Sequence, residues 1–251
     1  MIIKTISTID KNLFNGYIKK IYFDLVIKKK RKKKIQDINF SLQTSEKKII
    51  LLSDLLNKSC DEGVIVECGV GNGFSLTVIS KLSKKKIYAF DSFSGFPHKV
   101  SENDKSDNDT QDLLQVLKHS KFHYKLMTVD LVKKNMLNNK ISEEDIEKQI
   151  VFKKGYFPES FQGFNEKISF LHLDVDLYDS YKECLKFFFP KMAKGGIITF
   201  DEYIDRSLNN EQKKQKGYNW YGAKVAIDEF VKIKNLNLLE HTTGYKYIVI
   251  D

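Results

Sequence analysis

Short apolar runs alternate with segments of helical periodicity along most of this chain, and this alternation restricts the fold more than any other feature. The runs have the length of buried strands, and the segments between them carry apolar residues three and four positions apart. Strands and helices in alternation predict a doubly wound α/β sheet with helices on both faces. A last pair of runs around Gly244 predicts a hairpin. The other predicted strands are Val64–Glu67, Ile87–Phe90, Ile150–Lys153, Ile168–Leu173 and Ile197–Phe200.

Acidic residues follow two of these strands directly. The sequences LHLDVDLYDS and ITFDEY place Asp174, Asp176, Asp201 and Glu202 just after apolar runs. Ligands of open α/β sheets bind at the carboxyl ends of the strands, so we expect the four carboxylates to converge in one crevice. Unpaired carboxylates at close range repel and shift each other's pKa, which indicates a bound cation or a proton-transfer role. The alternative is that they cap helices or pair with lysines.

A glycine-rich loop predicts a nucleotide-like ligand. The sequence VIVECGVGNG runs from a strand into Gly69, Gly71 and Gly73 before a helical segment, and glycines at such a turn let the backbone approach a ligand closely. Asp91 ends the next strand, where a carboxylate can accept hydrogen bonds from ribose hydroxyls. Glu67 would repel a pyrophosphate but suits an amino group or a sulfonium. These features favour S-adenosylmethionine over NAD.

Positive charge is concentrated near the beginning of the chain. The net charge is +9 over 251 residues, and seven consecutive positive charges lie in the run KKKRKKK, Lys28 to Lys34. Such a run is typical of a solvated helix face or a flexible arm, and attraction to an anionic membrane or glycan surface is the next interpretation. Neither a zinc-ligand pattern nor an aromatic RNA-binding motif accompanies it, so we expect no nucleic-acid partner.

The composition predicts one catalytic domain with an N-terminal extension. Residues 1–40 form the extension, and residues 41–251 form the domain, with a polar lid insertion at about 95–125. The extension carries an apolar stripe at helical spacing, which predicts packing on the domain or a homo-oligomer. No membrane span or signal peptide is recognisable, and three widely spaced cysteines predict a reduced, cytoplasmic location.

Six motifs occur in order across residues 66–230: VECGVGNGFS, YAFDSFSGFP, KKGYFPESF, LHLDVDLYDS, GGIITFDEY and GAKVAIDEF. Together they resemble the macrocin O-methyltransferase family of class I S-adenosylmethionine-dependent enzymes, which methylate hydroxyls of sugars and glycosides. The resemblance covers about two thirds of the chain. It implies a Rossmann-like class I methyltransferase fold, with a mostly parallel sheet and a C-terminal antiparallel hairpin.

The resemblance also implies a role for individual residues in cofactor binding. The methionine portion of the cofactor would lie against Glu67 and Gly69, its ribose on Asp91, and its adenine near Gly155 and Tyr156. The full set expected to contact the cofactor is Glu67, Gly69, Gly71, Gly73, Ser75, Asp91, Ser92, Phe93, Gly155, Tyr156 and Asp174.

The resemblance implies that Asp176, Asp201 and Glu202 bind the family's divalent metal, Mg²⁺, and that Asp176 is also the catalytic base. The family usually has two aspartates where this chain has Asp201 and Glu202. The chemistry is coherent, because a sugar hydroxyl has a pKa far above 7 and must lose its proton as it attacks the methyl group. A hard cation on carboxylate oxygens lowers that pKa and orients the hydroxyl.

Two other functions fit the same residues. One is a metal-assisted O-methyltransferase of a catechol-like phenol, although the polar lid favours a sugar. The other is a non-catalytic binding protein that keeps the fold and docks through the basic run, although the intact motifs favour an enzyme. Further candidates for acceptor contact are His98, His123, Trp220 and Tyr221, whereas His172 is expected to be a buried core histidine.

Overall fold

The computed structural model describes residues 46–97, 101–104, 127–203 and 221–251. The predicted extension with its basic run, most of the predicted lid, and the candidates His98, His123 and Trp220 lie outside these residues. Within the described part of the chain, no helix combines the length and the apolar character needed to cross a membrane.

Seven strands form one sheet, in the order β3-β2-β1-β4-β5-β7-β6. Strands β1 to β5 run parallel to one another, and β7 pairs antiparallel with both β5 and β6. The order therefore reverses between β1 and β4, which is where open α/β sheets bind ligands. The strands are β1 Val64–Cys68, β2 Ile87–Asp91, β3 Ile150–Lys154, β4 Ile168–Leu173, β5 Met192–Phe200, β6 Leu239–Glu240 and β7 Lys246–Val249.

Six α-helices connect and flank the strands in the described ranges. Two of them have side-chain N-caps: Thr128 accepts a hydrogen bond from the backbone N of Leu131, and Ser142 accepts one from that of Asp145. The helices are α1 Glu46–Lys58, α2 Phe74–Leu82, α3 Val129–Asn138, α4 Glu143–Gln149, α5 Tyr178–Phe188 and α6 Tyr221–Lys234.

The buried core follows from the sequence pattern of the strands. All six residues of β4 are buried, as expected of a central parallel strand covered on both faces. Aromatic rings fill one part of the core, where Phe161 meets Phe90 and Phe188 edge to face at centroid distances of 5.7 and 4.8 Å. Burial of these rings contributes a large share of the hydrophobic stabilisation.

The structure confirms the predicted alternation and corrects four details. The sequence predicts a turn at Gly195 and Gly196, but both lie within β5, because Gly195 N donates to Ile250 O at 2.7 Å and extends the pairing with the chain end. Helical periodicity predicts a helix over Tyr178–Phe189, but the helix ends at Phe188 and a short 3-10 turn follows it. Helix α4 was not predicted, and the first hairpin strand is only two residues long.

Candidate active site

The sheet places the two acidic motifs beside the glycine loop. Beyond the strand ends, the backbone N of Asp174 donates to Cys68 O at 2.9 Å, and that of Asp201 donates to Leu173 O at 3.0 Å. These bonds continue the parallel ladder by one step past β1, β4 and β5. The residues that follow the three strands therefore share one edge of the sheet.

A cavity of about 430 Å³ opens at this edge. Its volume lies in the range of small-molecule and cofactor sites. The wall includes eight residues predicted to contact the cofactor: Gly69, Gly71, Ser75, Asp91, Ser92, Gly155, Tyr156 and Asp174. The predicted base Asp176 lines the same cavity. Three other predicted cofactor residues, Glu67, Gly73 and Phe93, lie behind this wall.

The glycine loop needs its glycines for two different reasons. Gly69 has φ +82°, and a Cβ atom there would lie 1.8 Å from the carbonyl oxygen of Asp174. Gly73, with φ +83°, is the N-cap residue of α2, and its Cβ would lie 2.6 Å from Val132 Cγ1. The left-handed conformation and the close packing therefore exclude larger side chains at both positions.

Asp91 holds the loop in place from the end of β2. Its Oδ2 accepts hydrogen bonds from the backbone N of Val70 at 2.7 Å and of Gly71 at 3.1 Å, and its Oδ1 accepts one from Phe93 N at 2.7 Å. The carboxylate still borders the cavity, so it can also accept hydrogen bonds from a ligand. Phe93 itself is buried against Phe152 and does not face the cavity.

Glu67 is buried beneath the glycine loop. Ser75 Oγ donates a hydrogen bond to its Oε1, and its Oε2 has no hydrogen-bond partner among the residues that the structure describes. Burial raises the pKa of Glu67 to about 8, against the effect of the Ser75 hydrogen bond. The side chain is thus protonated at neutral pH, and it lies behind the cavity wall rather than in the lining.

The four carboxylates converge as predicted, and we call Asp174, Asp176, Asp201 and Glu202 the acidic crevice. Ligand oxygens of Asp174, Asp176 and Glu202 lie within 4.8 Å of one another. Asp174 and Asp201 form a second such group with a ring nitrogen of His172. Asp174 therefore belongs to both groups, whereas the sequence predicted it only as a cofactor contact.

Burial dominates the electrostatics of the acidic crevice. It raises the pKa of Asp176 and of Glu202 well above the ordinary values, and the charges of Asp174 and Asp201 add to the effect. The pKa of Asp201 is raised to about 6 for the same reason, although the Lys48 ammonium opposes the shift. Burial alone would raise the pKa of Asp174, but Lys48 and a hydrogen bond with Glu202 hold it below its usual range.

Two side chains in this crevice were missed by the sequence analysis. The Tyr181 hydroxyl, carried by α5, donates a hydrogen bond to Glu202 Oε2. Lys48 Nζ lies 2.5 Å from Asp174 Oδ2 and 2.9 Å from Asp201 Oδ1. A signal for Lys48 existed, since it precedes the buried Leu52 and Leu55 by four and seven residues and so shares their helix face. We found no local signal for Tyr181.

His172 is a core histidine, as expected. Its side chain is fully buried, and Nδ1 lies 2.8 Å from Thr199 Oγ1, while Nε2 has no hydrogen-bond partner in the described part of the chain. Burial lowers the pKa of His172 to about 3, and the nearby Lys48 charge acts in the same direction. The imidazole is therefore neutral beside the acidic crevice.

The strand order and the position of this site define a class I methyltransferase fold, and comparison with known proteins agrees. The O-methyltransferase NovP superposes with a TM-score of 0.64 at 19% identity, covering 84% of this chain and 83% of that protein. The calicheamicin methyltransferase CalS11 superposes with a TM-score of 0.52 at 20% identity, covering 80% of this chain and 77% of that protein. Both likenesses confirm the fold.

The family follows from the sequence. Residues 44–219 match the Macrocin-O-methyltransferase (TylF) family, and the chain belongs to this family. A curated relative from Streptomyces olivaceus, 8-demethyl-8-(2,3-dimethoxy-alpha-L-rhamnosyl)-tetracenomycin-C 4'-O-methyltransferase, is 22% identical over 174 residues. That match covers 66% of this chain and 62% of the relative, so it spans less than two thirds of the relative's length.

Proposed function

We propose that this protein is an S-adenosylmethionine-dependent O-methyltransferase that acts on a hydroxyl of a sugar, a glycoside or a nucleotide sugar. One observation carries the proposal: a single cavity is lined both by the glycine loop with Asp91 and by Asp176. A methyl donor on the loop would thus face a group able to take a proton. The names of NovP, CalS11 and the Streptomyces relative, all methyltransferases, support the reaction class.

The donor site fits S-adenosylmethionine in its chemistry. The backbone of Gly69 and Gly71 is exposed to the cavity, where no side chain separates it from a ligand. Asp91 offers carboxylate lone pairs to a ribose diol from the cavity wall. Tyr156, which is 40% exposed, can cover a base.

The acidic crevice fits a hard divalent cation. We propose that Mg²⁺ binds carboxylate oxygens there, the donor type that it prefers. The sequence predicted Asp176, Asp201 and Glu202 as its ligands. Oxygens of Asp174, Asp176 and Glu202 lie within 4.8 Å of one another, and Lys48 contacts both Asp174 and Asp201. When bound, Mg²⁺ would supply positive charge that lowers the pKa of the acceptor hydroxyl and orients it.

Asp176 is the proton acceptor in this proposal. A lone pair of the acceptor oxygen attacks the methyl carbon, the bond from that carbon to sulfur breaks, and its electron pair remains on sulfur. The hydroxyl proton passes to the Asp176 carboxylate, so charge and atoms balance. A carboxylate whose pKa is raised by burial accepts a proton more readily once it is ionised. Enclosure in the cavity keeps the two reactants aligned.

Two measurements on the full chain test the proposal. Calorimetry should detect S-adenosylhomocysteine binding, and a screen with radiolabelled S-adenosylmethionine should show transfer to sugars, glycosides or nucleotide sugars rather than to catechols. Methyl transfer only to a catechol would contradict the proposed sugar acceptor but would still support an O-methyltransferase reaction. Failure to bind S-adenosylhomocysteine would contradict the whole proposal and favour a non-catalytic role. The cytoplasmic location, the oligomer and the docking of Lys28 to Lys34 on an anionic surface stay predictions.

A further inference from the structure

A buried carboxylate outside the cavity wall contacts the first residue of helix α5. Asp104 is only 2% exposed, and its Oδ1 accepts a hydrogen bond from the backbone N of Tyr178 at 2.8 Å. Its Oδ2 accepts a hydrogen bond from Ser101 N at 3.2 Å, so both carboxylate oxygens are engaged. Because Tyr178 begins α5, Asp104 caps this helix from a position 74 residues earlier in the sequence.

The N-cap residue of α5 cannot cap the helix itself. That residue is Leu177, whose apolar side chain accepts no hydrogen bond from the first turn. Asp104 thus pairs a buried N–H group that has no partner within the helix. Burial raises the pKa of Asp104 to about 6, so the carboxylate is ionised at pH 8. The positive end of the helix dipole favours this negative charge.

The first turn of α6 leaves room for the Asp104 carboxylate. A Cβ atom on Gly222 would lie 2.0 Å from Asp104 Oδ1 and 2.9 Å from its Cγ. Gly222 is the second residue of α6 and does not have a left-handed backbone conformation. The close contact with Asp104 is therefore what requires a glycine at this position, and the carboxylate is enclosed between α5 and α6.

The capped residue lies two positions after Asp176, the proposed base. Two positions before the base, the backbone N of Asp174 donates to Cys68 O at 2.9 Å. Asp176 therefore lies on a short connection that is anchored at both ends. Its φ is +59°, a conformation that persists in a residue other than glycine only where the surrounding contacts hold it. Asp104 does not line the cavity, so it can affect a ligand there only through this connection.

We propose that Asp104 is a positioning residue that fixes Asp176 in the cavity by capping α5 at Tyr178. The inference rests on the proposed function only in taking Asp176 as the proton acceptor. Without the cap, the connection before Tyr178 should shift and misalign the Asp176 carboxylate with the acceptor hydroxyl, and small misplacements of this kind lower the rate strongly. The glycine loop should keep its shape, because Asp91 holds it independently.

Steady-state kinetics at pH 8, with an acceptor that the methyl-transfer screen identifies, test the catalytic consequence. Asp104→Ala should lower kcat by about tenfold or more, while S-adenosylhomocysteine affinity changes by no more than about threefold. Asp104→Asn keeps an oxygen for Tyr178 N and should retain kcat within about threefold. Asn103 is exposed and lies outside the cavity wall, so the control Asn103→Ala should retain kcat within about twofold.

Gly222→Ala tests the same contact from the side of α6. Its methyl group should displace the carboxylate and lower kcat about as much as Asp104→Ala does. In the double variant the methyl group no longer meets Oδ1 or Cγ, and only Tyr178 Cβ remains close, at 3.0 Å. The double variant should therefore have a kcat within about twofold of that of Asp104→Ala. If the two losses multiplied instead, the residues would act separately and the proposal would be overturned.

Backbone NMR of the full chain, without methyl donor, metal or acceptor, tests the positioning independently of turnover. In Asp104→Ala the Tyr178 amide should exchange with solvent at least about tenfold faster, because its hydrogen bond is lost. The amide resonance of Asp176 should shift in the same variant. Asn103→Ala should leave both signals as they are in the wild type.

Three results would overturn the proposal: wild-type kcat in Asp104→Ala, a loss of S-adenosylhomocysteine affinity as large as the loss of kcat, or an unchanged Asp176 amide resonance. If Asp104→Ala does not fold, Gly222→Ala carries the same expectations, because it moves the carboxylate without removing it. A wild type that methylates no acceptor would contradict the proposed function instead. The NMR comparison would still decide whether Asp104 holds Asp176 in place.

Discussion

The carbonyl oxygen of Asp174 lies 1.8 Å from the position that a Cβ atom on Gly69 would occupy. This contact joins the glycine loop after β1 to the first acidic motif after β4. The glycine loop and the acidic motif are consequently packed against each other, and a larger side chain at Gly69 would displace the backbone of Asp174. The proposed donor side and the proposed proton-accepting side of the cavity meet at this contact.

Gly69→Ala should therefore destabilise the fold and abolish donor binding together. The added methyl group meets Asp174 backbone, which cannot move without disturbing β4, and φ is +82°. We expect a loss of roughly 3 kcal/mol or more in the free energy of unfolding, measured by chemical denaturation.

Gly163→Ala is the matched control for this substitution. Gly163 has a similar φ of +77°, but a Cβ atom there would meet no atom of the described residues within 4 Å. Gly163→Ala should lower the free energy of unfolding only through the strain of a positive φ at alanine, by about 1 to 2 kcal/mol. Equal losses for the two variants would show that the contact with Asp174 contributes nothing.

Asp91→Asn tests whether the carboxylate organises the donor site. Asp91 now accepts hydrogen bonds from three backbone N–H groups through two oxygens. Asparagine has only one oxygen, and its NH₂ group would face at least one of these N–H groups. Affinity for S-adenosylhomocysteine should fall by about tenfold or more in calorimetry. Asp130→Asn, at an exposed position of α3 outside the cavity wall, should leave that affinity nearly unchanged.

Glu67 makes the stability of the protein depend on pH. Its pKa is about 8 in the folded state, above its ordinary value of 4.5, so the folded protein binds more protons than the unfolded chain between these values. The free energy of unfolding should then fall as the pH rises from about 4.5 to about 8, and level off above.

Glu67→Gln should remove the part of this dependence that Glu67 causes, because glutamine stays neutral and can still accept the Ser75 hydrogen bond. At pH 8 the variant should be more stable than the wild type by about 4 kcal/mol, and at pH 5 the two should differ by less than about 1 kcal/mol. Glu147→Gln, on an exposed part of α4, should keep the wild-type profile in the same denaturation series. Parallel profiles for Glu67→Gln and the wild type would contradict the buried, protonated state.

The strands could be predicted from sequence because each is a short apolar run with a polar residue after it. Helix α4 was missed for a related reason: only Ile146 of its seven residues is buried, so it has almost no apolar periodicity. Its N-cap at Ser142, followed by three acidic residues, was the available signal. Gly195 was misplaced because its partner, Ile250, is distant in the sequence.

The acidic crevice was predicted for its carboxylates and not for the cation that pairs with them. Strand ends of a parallel sheet meet by topology, so Asp174, Asp176, Asp201 and Glu202 could be grouped from the strand pattern alone. Lys48 reaches them through the packing of α1, which strand periodicity does not determine. The interpretation that such carboxylates pair with lysines is confirmed for Asp174 and Asp201.

Asp176→Asn is the sharpest test of catalysis, because asparagine preserves both shape and backbone. Asp176 has φ +59°, a conformation that asparagine tolerates better than most residues, so the loop should keep its course. Loss of the proton acceptor should lower kcat by about a hundredfold or more, while S-adenosylhomocysteine affinity changes by no more than about threefold. Asp130→Asn should retain turnover within about twofold, because that exposed carboxylate of α3 lies outside the cavity wall. If Asp176→Asn kept wild-type turnover, the proton would have to leave by another route, and Asp176 would only shape the cavity.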